Sequence, residues 1–243
     1  MRPTPGDPFA TFRHAGLVLA FLLLCTVAAF WESYLTTLHD LPEHFGWTLH
    51  LHAALMGGWV VLLCVQAGLV RRRRWGLHRL LGRASFVYVP LTIVSGVVTM
   101  RGSMLRGPGA VTMEAARDAT FQHMMLFSFA LTWALGIANR RRQALHVRYM
   151  ISTVFAVGSA VFFRIFFFLV PGYADFDRAA HANFAVMGVL LAALLVNDWR
   201  LGLRRSPYWV ITVLLFVQFL GYRLVSDQPW WVDYCNRIAG FGP

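Results

Sequence analysis

The sequence predicts an all-α fold: a polytopic membrane helix bundle of seven transmembrane helices, in one domain over residues 1–243, with the N-terminus inside and the C-terminus outside. Three observations carry that expectation. First, 58% of the residues are hydrophobic and only 14% charged, with a mean hydropathy of +0.56. A soluble domain cannot bury so large an apolar share. Second, apolar runs of about 20 residues recur, the length that crosses a hydrocarbon core of roughly 30 Å at 1.5 Å per residue. Third, the 22 basic residues are all arginine and they are unevenly placed. Arg2, Arg13, Arg71 to Arg74, Arg79, Arg83, Arg140 to Arg142, Arg148, Arg200, Arg204 and Arg205 fall on one side of the expected spans, with only Asp7 and Asp198 as acids. That asymmetry sets a cytoplasmic face. A pI near 10.7 would otherwise point to nucleic acid. Charges confined to span ends exclude that partner and leave membrane lipids, anionic headgroups above all.

Residues Met1 to Arg13 are polar and proline-containing, a short cytoplasmic lead. Span 1 covers about 15–34. Its basic start and apolar core have the form of a signal peptide, but no small-x-small cleavage site precedes Trp31, so it is expected to be retained. An outer loop, His39 to His44, leads to span 2, about 47–70, which ends on Arg71 to Arg74. Span 3 covers about 80–100 and contains Pro90, which should kink it and free a carbonyl. An outer loop with Gly107-Pro108-Gly109 and a short helix at Met113 to Ala119 precedes span 4, about 121–138. Span 5, about 147–170, is Phe-rich and stops at Pro171-Gly172; span 6 covers about 181–199 and span 7 about 208–225. The tail, with Trp230, Trp231 and Tyr234, reads as an interfacial anchor. Cys25, Cys64 and Cys235 form no disulfide framework.

Spans 2, 4 and 6 share a pattern, each opening on histidine and closing on arginine. His52 precedes Arg71 by 19 residues, His123 precedes Arg140 by 17, and His181 precedes Arg200 by 19. Those separations are roughly 26 to 29 Å of helix, so the three histidines share a depth near the outer boundary. The inner connections Arg-Arg-Arg-Trp-Gly-Leu-His78 and Arg-Arg-Arg-Gln-Ala-Leu-His146 also match.

His50 and His52 lie on different faces of one helix. The His52 face continues through Met56, Trp59, Leu63 and Gln66, and is expected to point inward. His123 heads a stripe with Phe127, Ala130 and Ala134, and His181 one with Ala185, Gly188 and Ala192; small residues permit close helix approach in lipid. On that reading His52, His123 and His181 converge on one outer pocket. Arg164 sits within span 5 among phenylalanines, where an unpaired guanidinium costs about 2.5 kcal/mol or more. It is a candidate for holding an anionic group, or for pairing with Asp175 or Asp177 outside, with Glu32 as a further counter-ion. His78 and His146 are expected to organise loops, and the arginine runs to set topology.

Two resemblances rest on these residues. Leu77 to Arg83 (LHRLLGR) and Leu145 to Phe166 (LHVRYMISTVFAVGSAVFFRIF) resemble an uncharacterised bacterial multi-span membrane family, which brings no activity and implies a bacterial inner membrane. His52-Ala-Ala-Leu-Met56, Leu77-His78 and a histidine heading span 4 are similar to the core of the cytochrome b-561 group. That likeness implies an outer haem b with His52 and His123 as axial ligands. The group's inner site is broken, because Gly82 stands where its ligand would be.

The expected function is therefore an inner-membrane redox protein. One haem b would be held by His52 and His123, with Arg164 at a propionate, and electrons would pass to or from a quinone or a periplasmic acceptor. The alternative is a zinc centre of His52, His123 and His181 in a membrane hydrolase, or a cofactor-free transporter, assembly or sensor protein.

Overall fold

The computed structural model describes residues 15–36, 46–105, 109–203 and 206–241; the expected lead Met1 to Arg13, the loop at His39 to His44, Gly107-Pro108 and the pair Arg204-Arg205 lie outside them. The described residues are helical and contain no strand. The helices are α1 (Ala15–Ala29), α2 (Gly46–Arg71), α3 (Trp75–Met104), α4 (Met113–Ala138), α5 (Gln143–Ser152), α6 (Val154–Arg164), α7 (Phe176–Arg200), α8 (Tyr208–Leu224) and α9 (Pro229–Ala239). Two π-helical turns follow α1 and α6: π1 (Trp31–Leu35) and π2 (Ile165–Leu169).

Among the described residues, five helical segments are long and apolar enough to cross a membrane: α2, α3, α4, the run Gln143–Leu169, and α7. A sixth arises if α8 and α9, bent by 98° at their junction, count as one broken span. The expected first span is a 15-residue helix, shorter than its neighbours, continued by π1.

Several expectations are met in place and altered in detail. The short helix expected at Met113 to Ala119 is the first part of α4, because Thr112 caps it by accepting from the Ala115 amide and no breaker follows. Pro90 sits within a helix of 30 residues that runs on through it. Span 5, expected as one helix, is interrupted at Thr153, between α5 and α6. The run Arg71 to Arg74 forms the α2–α3 turn, with Arg73 in the left-handed region at φ 55°.

Helix α4 is central, packing against α3, α5, α6, α8 and α9, while α2 packs on α1 and α3 and α7 on α6 and α8. The middle of the bundle is held at Trp59, which is fully buried. Its indole Nε1 donates to Thr153 Oγ1 (2.9 Å), and its ring meets Phe129 edge-on at 5.4 Å. The inward face of α2 is thus the expected one, with Trp59 and Leu63 buried.

The faces of α4 and α7 are not. Phe127 and Ala134 are exposed, and α4 buries Phe121, Phe129, Thr132 and Gly136. Ala185 and Ala192 are exposed, and α7 buries Asn183, Phe184, Met187, Leu191 and Asp198. In lipid an apolar or small side chain suits either surface, so a stripe of them does not mark the inner one; the buried polar residues do.

The C-terminal tail also differs. The residues expected as an interfacial anchor form a helix folded back on α3 and α4, burying Trp231, Cys235 and Ala239 against Met100, Met104 and Ala116. Trp231 Nε1 donates to the Ala116 carbonyl at 3.0 Å, and Asn236 accepts from the Val111 amide at 2.8 Å. Cys235 is a free thiol with no exposed surface.

Candidate functional site

The half of the bundle away from the arginine runs holds the expected site residues. His52 projects from α2 toward α3, where its Nδ1 lies 3.0 Å from Ser95 Oγ. Ser95 donates its one hydroxyl proton to the Thr92 carbonyl (2.9 Å), so toward the imidazole it accepts. Nδ1 of His52 therefore carries the proton, and Nε2 presents the lone pair. Gly96, one residue on, lets this ring approach: a Cβ there would lie 3.1 Å from His52 Cε1 and 2.7 Å from Leu126 Cδ2.

His123 has the same tautomer for another reason. Its Nδ1 is 2.7 Å from the Ala119 carbonyl, which can only accept, and Nε2 is 3.3 Å from the Tyr234 hydroxyl of α9. The ring packs on Trp231 and Tyr234 at 5.3 and 5.8 Å between centroids. His181 donates from Nδ1 to the Asp177 carbonyl (2.6 Å) on the exposed side of α7, beside Phe219 and Tyr222 of α8. The three histidines thus face three different elements: α3, α9 and α8. No group of three or more His, Cys, Asp or Glu side chains placed to hold a metal ion occurs among the described residues.

Arg164 is the last residue of α6, immediately before π2. Its guanidinium carbon stands 4.3 Å over the Phe30 ring, next to π1, and Nη1 reaches back to the Ala160 carbonyl at 3.4 Å. Helix α6 packs on α1, and Met56 of α2, Phe30 and Ile165 belong to one apolar cluster. His52, one turn before Met56, and Arg164, beside Ile165, therefore border the same cluster although they are 112 positions apart in the chain. A cavity of about 20 Å³ lies on the other flank of Arg164, lined by Asp118, Phe121, Met125, Ala160, Phe163 and Phe176. Asp118 is in turn held by Gln122 Nε2 (2.8 Å).

Two of the acids proposed as partners for Arg164, Asp175 and Asp177, are engaged elsewhere. Asp175 caps α7 by accepting from the Arg178 amide (2.9 Å). Asp177 pairs with Arg117 at 3.3 Å and accepts from the Tyr222 hydroxyl. Arg117 also grips Asp227 with two bonds of 2.7 and 2.9 Å, which ties α4 to α7 and to the α8–α9 junction. Glu32 lies in π1. His50, set aside in favour of His52, bonds Tyr34 at 2.8 Å.

At the arginine-rich end, His78 and His146 come from the matching connections and bring their rings to 6.5 Å, nearly perpendicular. His146 donates to the Gly136 carbonyl (2.7 Å), closing the α4–α5 turn as a loop organiser would. Two features here were not anticipated. Arg148, read only as one topology-setting charge among many, forms a buried ion pair with Asp198. A polar strip along α5, α6 and α7, containing Ser152, Ser159 and Asn183, runs above it. The signal for the pair was present: Asp198 is the one acid on that side within an expected span.

Comparison with protein-family models, with curated proteins and with solved structures returns no match to this chain.

Proposed function

We propose that the chain is a multi-pass protein of a bacterial inner membrane, with seven spans, N-terminus inside and C-terminus outside, whose outer half binds an anionic ligand at Arg164 and His52. The observation that carries this is the placing of a guanidinium and an oriented imidazole, supplied by α6 and α2, at the border of one apolar cluster beside two π-helical turns. Such turns recur at functional sites, and an intramembrane arginine costs enough to need a purpose.

The ligand proposed first is haem b, with His52 and His123 as axial ligands and Arg164 at a propionate. It would supply one-electron transfer to or from a quinone or a periplasmic acceptor. Both imidazoles hold their proton on Nδ1 against an oxygen, which is how ligating histidines are oriented. The fit is partial. His123 would leave Tyr234, and a site of the usual few hundred cubic ångströms requires α2 and α4 to part at Leu126.

A second reading, a cofactor-free carrier of small carboxylates, is favoured by the interruptions at Thr153, π2 and the 98° bend between α8 and α9. The absorption spectrum of the purified protein separates the two. A Soret band lost in both His52→Ala and His123→Ala supports haem. Its absence, together with Arg164-dependent binding of a carboxylate in proteoliposomes, supports the carrier.

A further inference from the structure

We infer that the core of the α4–α5–α6–α7–α8 bundle contains a binding site for a single ordered water, anchored on Ser152. The site is independent of His52 and Arg164. A cavity of about 20 Å³ measured to water centres is lined on its polar side by Ser128, Thr132, Ser152, Ser159 and Gln218, and its apolar lining includes Met187 and Leu191. A water needs roughly 10–15 Å³ measured in that way, with two to four polar partners, so the space suits one molecule.

Ser152 is 1% exposed, and among the described residues its hydroxyl has no hydrogen-bond partner in the protein. A mid-helix serine in an apolar surround would ordinarily bond back to the carbonyl four residues earlier; Ser152, the last residue of α5, makes no such bond. Two neighbouring polar groups, Thr132 and Gln218, have settled donors. Thr132 Oγ1 donates to the Ser128 carbonyl at 2.6 Å, and the Gln218 amide donates to Ser128 Oγ at 2.9 Å. A water at this place donates to Thr132 Oγ1 and accepts from Ser152, which removes the cost that a buried unbonded hydroxyl carries. Asn183, which donates to Ser159 Oγ at 2.9 Å while its own Oδ1 has no protein partner, extends the same polar strip away from Ser152.

X-ray hydroxyl-radical footprinting of the full chain in nanodiscs reads such a site, because radicals form from bound water and oxidise the adjacent side chain. Met187 lines the cavity and is 2% exposed; Met100 and Met104, at 2% and 0%, do not line it and serve as internal controls. Met187 is expected to convert to its sulfoxide several-fold faster than Met100 or Met104, and Ser152→Val is expected to bring it down to their rate. Equal rates for the three methionines in the wild-type chain overturn the inference. A fast Met187 that is unchanged in a folded Ser152→Val overturns the anchor. If Ser152→Val does not fold, Thr132→Val replaces it with the same two outcomes.

Discussion

Arg148 and Asp198 meet in a two-pronged ion pair with both side chains sealed from solvent: Nη2 to Oδ1 and Nε to Oδ2 are each 2.8 Å, at 1% and 0% exposure. Ser206 Oγ adds a third bond to the carboxylate at 2.7 Å, and the Ala144 carbonyl accepts from the guanidinium at 3.1 Å. The pair fastens α5 to α7 and to the start of α8. Removing one partner strands a buried charge, so Asp198→Asn or Arg148→Met should each lower stability by about 3–5 kcal/mol. The apolar double variant Arg148→Met with Asp198→Leu should recover much of that loss. Denaturant unfolding in a mild detergent, run as a double-mutant cycle, checks both values; equal effects of single and double variants contradict the pair.

The opposite end has a more exposed network in Arg117, Asp177, Asp227 and Tyr222. The hydrogen bond from Arg117, and then its charge, holds the Asp227 carboxyl below the ordinary aspartate range. A depressed folded-state value means that the stabilisation is present above the unfolded-state value, about 3.9, and is lost as pH falls through the folded one. Docking of α9 should therefore loosen below about pH 4 and not between pH 5 and 8. Asp227→Asn should remove that acid-dependent step. Proteolysis of the tail, followed against pH in wild type and variant, measures it; since Asp227 is 54% exposed, the effect is modest.

Gly96 marks where α3, α4 and His52 come closest. An alanine there meets Leu126 at 2.7 Å and the imidazole at 3.1 Å. Gly96→Ala should cost about 1–3 kcal/mol by overpacking, and Leu126→Ala in the same chain should restore part of it. Thermal melts of the single and double variants test this. An unaffected Gly96→Ala places Leu126 elsewhere.

Trp59 and Thr153 join α2 to the break between α5 and α6. Thr153→Val leaves the buried indole N–H without its acceptor, with an expected loss of about 1–2 kcal/mol. Trp59→Phe in the Thr153→Val background should cost less than it does alone, because the orphaned donor goes with it. The coupling between the two substitutions is the quantity to measure.

These residues show where the sequence was readable. Helix positions followed from length and apolarity because the bilayer fixes both, and the α2 face followed from Trp59, Leu63 and Gln66, whose size and polarity favour the interior. The α4 and α7 faces were misjudged at Phe127, Ala134, Ala185 and Ala192, since hydrophobic and small residues are at home against lipid as well as protein. Thr132, Asn183 and Asp198 were the better guides, because a polar side chain cannot face hydrocarbon without a partner. Arg148 was concealed by its company: one arginine among fifteen on a side does not announce that it turns inward. The folded-back α9 left a trace in the spacing of Trp231, Cys235 and Ala239, one helical turn apart in succession. An interfacial aromatic cluster accounts for the same residues, so the trace alone could not decide.

The pairing of Arg148 with an acid 50 residues downstream bears on how the protein is made. When α5 emerges from the ribosome, Asp198 has not yet been synthesised, and the guanidinium must stay hydrated at the arginine-rich boundary. Only once α7 enters can the two charges neutralise each other and sink between the helices. Helix α5 can therefore complete this pairing only after α7 has been made.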